Sequence, residues 1–103
     1  MKAAILVGQN EPLVVAEVEV PSLEVGQVLV KTEYSGICGK QLEEINGKRG
    51  DDPYIPHLLG HEGAGVVVEV GAGVTSLQPG NHVIPLYTPE CRQCVFCTSG
   101  KTN

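Results

Sequence analysis

The sequence predicts a mainly β fold, a small and partly open antiparallel barrel with short helices and a cysteine-rich loop. Three observations support this prediction: short stretches of alternating apolar and polar residues, turn signals of Gly, Pro and Asn between them, and three cysteines within seven residues. Short strands separated by frequent turns are typical of small barrels. A chain of 103 residues with 42% hydrophobic content has room for one domain and one modest core.

The first half of the chain contains three stretches of strand character. The first is an apolar run ended by Gly8, the second alternates up to Pro21, and the third alternates until Gly36 breaks it. Clean alternation suits an antiparallel strand with one buried face. A short segment stopped by Asn46 and Gly47 has the length of two helical turns. The predicted elements are strands over 2–7, 13–20 and 27–34 and a helix over 40–46.

The second half predicts two more strands and two irregular segments. Residues 48–56 form a polar loop that contains proline, and Pro79-Gly80 marks a turn. Between these signals the chain is strongly apolar, which favours strands. We predict strands over 62–70 and 81–86, and an irregular cysteine loop after residue 88.

Composition excludes several classes of function. The net charge of −5 provides no basic stripe for nucleic-acid phosphates, so no nucleic-acid partner is expected. No apolar run approaches the ~20 residues of a membrane span, and the apolar start of the chain is too short for a signal peptide. We therefore expect no membrane partner and a cytoplasmic location.

Cys91, Cys94 and Cys97 follow one another at intervals of three residues. Secreted disulfide scaffolds spread an even number of cysteines along the chain, whereas clustered thiols at Cys-x-x-Cys spacing favour a metal site. Zinc is the preferred interpretation of this loop. A redox-active dithiol and solvated free thiols remain as alternatives.

The glycine-rich segment 60–74 places an imidazole and a carboxylate side by side, at His61 and Glu62. Glycines inside a strand indicate a bulge or a close backbone approach, which a tightly curved sheet needs. A nucleotide-binding loop at Gly71-Ala72-Gly73 is not favoured. Its third glycine is replaced by Ser76, and no helical pattern follows.

These motifs together resemble the N-terminal, GroES-like part of zinc-dependent medium-chain alcohol dehydrogenases. Segment 60–74 fits the family's zinc signature Gly-His-Glu-x-x-Gly-x5-Gly-x-x-Val without a gap, and segment 36–38 matches the setting of its first catalytic cysteine. Segment 82–103 is most similar to the structural-zinc lobe of the glutathione-dependent formaldehyde dehydrogenase branch. The resemblance covers the whole chain.

The resemblance implies two Zn2+ sites of different character. Cys38 and His61 match two ligands of a catalytic zinc, and Glu62 matches the carboxylate beside it. A zinc ion there would act as a Lewis acid on an alcohol oxygen. The residues that match ligands of a structural zinc are Cys91, Cys94 and Cys97.

The resemblance also implies an enzyme. The parent protein of this chain would interconvert a small alcohol with an aldehyde or ketone, use NAD or NADP, and form a homo-oligomer. Residues 1–103 are expected to be a truncated GroES-like part of the catalytic domain, without the Rossmann cofactor domain, and inactive alone. The alternative is a stand-alone zinc-binding structural or interaction module without catalysis.

The chain departs from the family beside the first cysteine. Gly39 replaces an Arg or His that often contacts the cofactor pyrophosphate. Lys40 replaces the Ser or Thr that passes on the alcohol proton, so we expect it to act as a catalytic base or as a cofactor contact. Gln41 is expected to orient His61 through its amide oxygen, and Glu43 to end a proton relay.

Several of these residues also have structural interpretations. Lys40 is alternatively a surface helix residue, and Glu43 with Glu44 a solvated helix face. Histidines outside the signature are expected to have backbone partners, and tyrosines to pack. The residues concerned are His57, His82, Tyr34, Tyr54 and Tyr87.

Overall fold

Two three-stranded sheets form the framework of the protein. The computed structural model describes residues 1–101, and within that range six strands and two short helices occur. Neighbouring strands are antiparallel throughout, as the alternating sequence pattern indicates. The elements are β1 (Lys2–Leu6), β2 (Val14–Glu17), β3 (Val28–Ser35), α1 (Gly39–Ile45), β4 (His57–Leu58), β5 (Gly63–Val70), β6 (His82–Val83) and α2 (Val95–Thr98).

The first sheet has the strand order β2–β1–β4. Ile5 of β1 lies opposite Val14 on one side and Leu58 on the other. Exposure alternates along β1 until Leu6, which is completely buried. The central strand of this sheet therefore supplies one of the two fully buried side chains found within residues 1–101.

The second sheet has the order β3–β5–β6, and its pairing is not regular. The register shifts between Thr32 and Tyr34, which leaves Glu33 as an extra residue opposite β5. Close to this point a Cβ built on Gly65 would lie 2.2 Å from the carbonyl oxygen of Lys31. Only glycine permits this approach, so the close backbone approach predicted for the glycine-rich segment is confirmed at Gly65.

The mainly β prediction is confirmed, and the two sheets are not closed into a barrel. Observed β1, β3, β5 and α1 match predicted elements to within one or two residues. The strand predicted over 13–20 is shorter in the structure, because only Val14–Glu17 pairs with β1. Two short elements were missed, namely β4 and α2.

The predicted strand over 81–86 was largely wrong. Pairing with β5 stops at Val83, and the apolar side chains beyond it have no sheet to cover them. Ile84 is 75% exposed and Leu86 is 83% exposed. Apolar alternation alone therefore overestimated the strand. Within residues 1–101, no helix has the length and apolar character needed to cross a membrane.

Candidate metal centres

The end of β3 brings Cys38 next to the start of β5. The Gly36 N–H donates a 2.8 Å hydrogen bond to the Glu62 carbonyl, which extends the β3–β5 pairing beyond the last strand residue. A Cβ on Gly36 would lie 2.4 Å from Oε2 of Glu62, so the absence of a side chain at position 36 makes room for that carboxylate. Two residues later the chain turns into α1, with Cys38 as its N-cap.

Hydrogen bonds at the helix start fix the orientation of Cys38. Its N–H donates to Oε1 of Gln41 at 2.8 Å, and its Sγ accepts from the Lys40 N–H at 3.3 Å. This reciprocal arrangement is a capping box with sulfur in place of the usual hydroxyl. The Gln41 amide oxygen, which was predicted to orient His61, accepts its hydrogen bond from the N-cap residue of α1.

The side chains of Cys38, His61 and Glu62 converge, and we call these three residues the mixed-ligand cluster. One ligand atom from each lies within 4.8 Å of the other two. Cys38 and His61 are half-buried and Glu62 is exposed. A thiolate, an imidazole and a carboxylate form a donor set that suits Zn2+, so these residues fit the metal that the resemblance implies.

A cleft of about 530 Å³ gives access to the mixed-ligand cluster. Cys38 and His61 lie in its wall, together with Leu59 and Tyr87. The Tyr87 ring stands edge-on to the imidazole of His61, with 6.0 Å between ring centroids. Tyr87 was predicted to pack, but it is 78% exposed, and its place in the wall of the cleft was not apparent from the sequence.

Lys40 and Glu44 form the polar side of this cleft. Nζ of Lys40 lies 2.8 Å from Oε1 of Glu44, one turn further along α1, and both residues line the cavity. Glu43 points elsewhere: its Oε2 lies 2.7 Å from Nε of Arg49, on an exposed surface. Gly39 begins the helix, and a Cβ built there would meet no atom within 4 Å.

His57 forms a polar pair that the sequence analysis missed. Its Nδ1 lies 2.8 Å from Oδ2 of Asp52, whereas a backbone partner had been expected. Asp52 also accepts a 2.8 Å hydrogen bond from the Tyr54 N–H. This backbone bond, followed by the bond from His57, holds the pKa of Asp52 below its usual value of 3.8. His57 borders the same cleft as Cys38.

The three cysteines near residue 94 form the cysteine cluster, comprising Cys91, Cys94 and Cys97. Its sulfur atoms also lie within 4.8 Å of one another, and the Sγ of Cys97 is 3.8 Å from that of Cys91 and 3.5 Å from that of Cys94. Thiolates around a tetrahedral zinc at ~2.3 Å would be ~3.8 Å apart. The observed spacing therefore fits one zinc ion.

Backbone donors surround the first thiol of the cysteine cluster. The pKa of Cys91 is lowered from 9.0 to about 7. The largest cause is the hydrogen bond from the Gln93 N–H, and the next is the bond from the Cys94 N–H, which lies 3.3 Å from the sulfur. The neighbouring thiols of Cys94 and Cys97 lower it further. Donors aimed at sulfur favour the thiolate, which is the form that binds metal.

The described residues thus combine an open β fold, a mixed-ligand cluster at a cleft and a cluster of thiols in a separate segment, and both donor sets suit Zn2+. The chain belongs to the alcohol dehydrogenase GroES-like domain family, whose model matches residues 24–103.

Curated relatives and solved structures agree with this assignment. The chain is 54% identical over 104 residues to an S-(hydroxymethyl)glutathione dehydrogenase of Photobacterium damsela subsp. piscicida, and 53% identical over 102 residues to one of Paracoccus denitrificans. These matches cover 99% of this chain but only 27% of each relative. The chain therefore spans about a quarter of the length of these relatives.

Solved structures show the same fold. An alcohol dehydrogenase from Thermus sp. ATN1 superposes with a TM-score of 0.85 at 34% identity, over 99% of this chain and 29% of that chain. A putative zinc-binding dehydrogenase from Sinorhizobium meliloti 1021, bound to NADP, superposes with a TM-score of 0.79 at 33% identity, over 98% of this chain and 29% of that chain.

Proposed function

We propose that this chain is the metal-binding catalytic part of a zinc-dependent oxidoreductase that interconverts a small alcohol with an aldehyde or ketone, using NAD or NADP. The observation that carries the proposal is the mixed-ligand cluster, whose three different donor atoms lie within 4.8 Å of one another at a cleft. Membership in the dehydrogenase family supports it independently.

The mixed-ligand cluster would hold the zinc ion that takes part in the reaction, through Cys38 and His61 with Glu62 beside them. A bound zinc ion supplies Lewis acidity toward the substrate oxygen. The chain itself keeps these ligands in position before any substrate arrives. The N-cap holds Cys38, and the bond from Gly36 to the Glu62 carbonyl holds β5 against it.

The walls of the cleft orient the substrate. The Tyr87 ring and Leu59 form an apolar side, and the Lys40–Glu44 pair forms a polar side. We assign Lys40 to contact with a substrate oxygen or a cofactor phosphate, since its ammonium group borders the cleft. Glu43 pairs with Arg49 and does not line the cleft, so it takes no part in the proposed reaction.

The cysteine cluster would hold a second zinc ion with a structural role. It lies in an exposed loop, and its thiols border no part of the cleft that Cys38 and His61 line. We propose that the nicotinamide cofactor is bound mainly by the part of the whole protein that this chain does not match. We also propose that the whole protein is a homo-oligomer located in the cytoplasm.

Zinc analysis and turnover in the whole protein test the proposal together. Purified protein should reduce NAD or NADP in the presence of an alcohol, lose this activity with a zinc chelator, and regain it when Zn2+ is added. Cys38→Ser should abolish turnover and remove about one equivalent of zinc. Full turnover by Cys38→Ser would contradict the proposal. Zinc binding without oxidation of any alcohol would instead indicate a zinc-binding module.

A further inference from the structure

The cysteine cluster places its thiols where oxidation can join two of them. Sγ of Cys94 donates to Sγ of Cys97 across 3.5 Å, and Sγ of Cys91 lies 3.8 Å from that of Cys97. A disulfide bond is ~2.05 Å long, so the sulfur atoms of Cys94 and Cys97 have to approach by only ~1.5 Å. Rotation of the exposed Cys94 side chain can supply this movement. Cys94 and Cys97 are therefore the pair that oxidation should join.

Helix α2 keeps this pair in register. Cys94 is the N-cap of the helix, and Cys97 lies one turn later within it. The Cys94 carbonyl accepts hydrogen bonds from the Thr98 N–H at 3.0 Å and from the Thr98 hydroxyl at 3.1 Å. These bonds hold the backbone of the pair, whereas the Cys94 side chain makes no capping hydrogen bond. Its sulfur is therefore available for reaction with Cys97.

Cys38 has different surroundings. Its Sγ accepts the capping bond from the Lys40 N–H, and its side chain is half-buried. The ligand atoms that meet it within residues 1–101 belong to an imidazole and a carboxylate, at His61 and Glu62. A disulfide needs a second thiol at this distance, so oxidation to a disulfide should be confined to the cysteine cluster.

We infer that the cysteine cluster is a reversible redox switch, in which a hydroperoxide joins Cys94 and Cys97 in a disulfide and expels the zinc ion. One sulfur attacks the O–O bond, takes up one oxygen as a sulfenic acid and releases an alcohol, or water if the oxidant is hydrogen peroxide. The second sulfur then displaces that oxygen as water, and the S–S bond forms. Two electrons pass from the sulfur atoms to the peroxide, and two protons end on the oxygen products.

The disulfide and the zinc ion exclude each other. Zinc binds cysteine sulfur as the thiolate, and the disulfide leaves Cys91 as the remaining thiolate of the cluster. A dithiol reductant regenerates both thiols by exchange, after which zinc can bind again. The wall of the cleft that Cys38 and His61 line contains none of these three cysteines, so the mixed-ligand cluster should keep its metal. The inference rests on the structural zinc of the proposed function.

Hydrogen peroxide added to the zinc-loaded whole protein tests the inference. A chromophoric chelator should detect the release of about one equivalent of zinc, and dithiothreitol followed by Zn2+ should restore it. Alkylation of the remaining thiols and digestion with trypsin locate the bond. Cleavage after Arg92 and Lys101 puts Cys94 and Cys97 in the peptide 93–101 and Cys91 in the peptide 50–92. The first peptide should lose both alkyl groups, and the second should keep its own.

Cys97→His is the matched variant. An imidazole replaces a thiolate in structural zinc sites of the Cys3His type, but it forms no disulfide. Because Cys94 then lacks its nearest thiol partner, zinc release by peroxide should be ~10-fold slower. Phe96→His adds an imidazole at an exposed position of α2 and retains all three thiols, so it should release zinc at the native rate.

The outcomes separate this inference from the proposed function. If Cys94→Ser holds as much zinc as the native protein before peroxide is added, the proposed structural zinc fails and the inference fails with it. With zinc present at the start, three results would overturn the inference alone: thiols that stay reduced, a cross-link between peptides 50–92 and 93–101, or equally rapid loss of alkylation at Cys38. Native-like release by zinc-loaded Cys97→His would also overturn it. If this variant does not hold zinc, the peptide masses of the native protein decide.

Discussion

The two clusters of metal-ligating side chains differ in how the chain brings them together. The mixed-ligand cluster unites an N-cap residue of α1 with two residues that precede β5, so it depends on the pairing of β3 with β5. The cysteine cluster comes from one short segment, in which Cys94 caps α2 and Cys97 lies within it, and none of its residues pairs in a sheet. The first is half-buried at a cleft, and the second is mostly exposed.

This contrast separates two kinds of metal site. A site that assembles only in the folded sheet couples metal binding to the whole fold and can adjoin a substrate cleft. A local site binds metal through adjacent residues and stabilises mainly its own loop. A substitution that disrupts one cluster should therefore leave the other largely intact.

The largest effect is expected from Gly65→Ala. Its Cβ would lie 2.2 Å from the Lys31 carbonyl oxygen, which is backbone and has no room to yield. We expect the unfolding free energy to fall by about 3 kcal/mol and the mixed-ligand cluster to lose its metal, while the cysteine cluster keeps its metal. Chemical denaturation and zinc analysis measure both.

Gly63→Ala is the matched control for this variant, because a Cβ there meets no atom within 4 Å. It should change stability by far less. Equal loss of metal from both clusters in Gly65→Ala would show that the cysteine cluster also depends on the sheet.

Cys94→Ser should act in the opposite direction. It removes one of the three thiolates of the cysteine cluster, and since structural zinc sites bind with ~10–16 kcal/mol in all, affinity there should fall at least ~100-fold. The mixed-ligand cluster should retain its zinc. Competition with a chromophoric chelator gives both affinities. Cys38→Ser is the matched variant, and it should produce the reverse pattern.

Gly36→Ala is expected to have an intermediate effect. The added Cβ would lie 2.4 Å from Oε2 of Glu62 and 3.2 Å from the Cβ of Glu62. The Glu62 carboxylate must therefore move away from Cys38 and His61. Zinc affinity at the mixed-ligand cluster should fall ~10-fold, with little change in stability. Gly39→Ala places a methyl group in open space and serves as the control. An unchanged affinity would exclude Glu62 from the metal environment.

The smallest effect concerns Asp52, near the mixed-ligand cluster, and its pH dependence is confined to acid. The pKa of Asp52 is lowered in the folded protein, so its contribution to stability is present above the unfolded value of 3.8 and is lost as the pH falls through the lower folded value. The stability difference between the native protein and Asp52→Asn should be constant above pH ~4 and shrink below it. Urea denaturation at several pH values measures this difference. A difference that grows on acidification would contradict the assignment.

Local patterns in the sequence were enough to predict the cysteine cluster, because three thiols at intervals of three residues can converge on one ion. The mixed-ligand cluster was predicted through a family motif, and its geometry depends on long-range pairing. Cys38 meets His61 because the β3–β5 ladder continues through Gly36. No short-range pattern in the sequence specifies that register or the shift at Glu33.

The missed features share a physical cause. Asp52 pairs with His57 from a position that Gln9, 43 residues earlier, fixes by accepting a hydrogen bond from the Asp52 N–H. Gln41 was predicted to orient His61, but the start of α1 leaves backbone N–H groups without partners inside the helix. The Gln41 side chain accepts a hydrogen bond from one of them, the N–H of Cys38. The strand over 81–86 was overestimated because alternation does not reveal whether a partner strand is present.

The central claim is that one cluster depends on the sheet and the other on a loop, and cadmium substitution tests it most directly. The protein loaded with 113Cd should give two NMR resonances, one for a thiolate-rich site and one for mixed ligands. During a urea titration the mixed-ligand resonance should disappear together with the β-sheet circular dichroism, while the thiolate-rich resonance persists to higher urea. Loss of both resonances at the same urea concentration would contradict the claim.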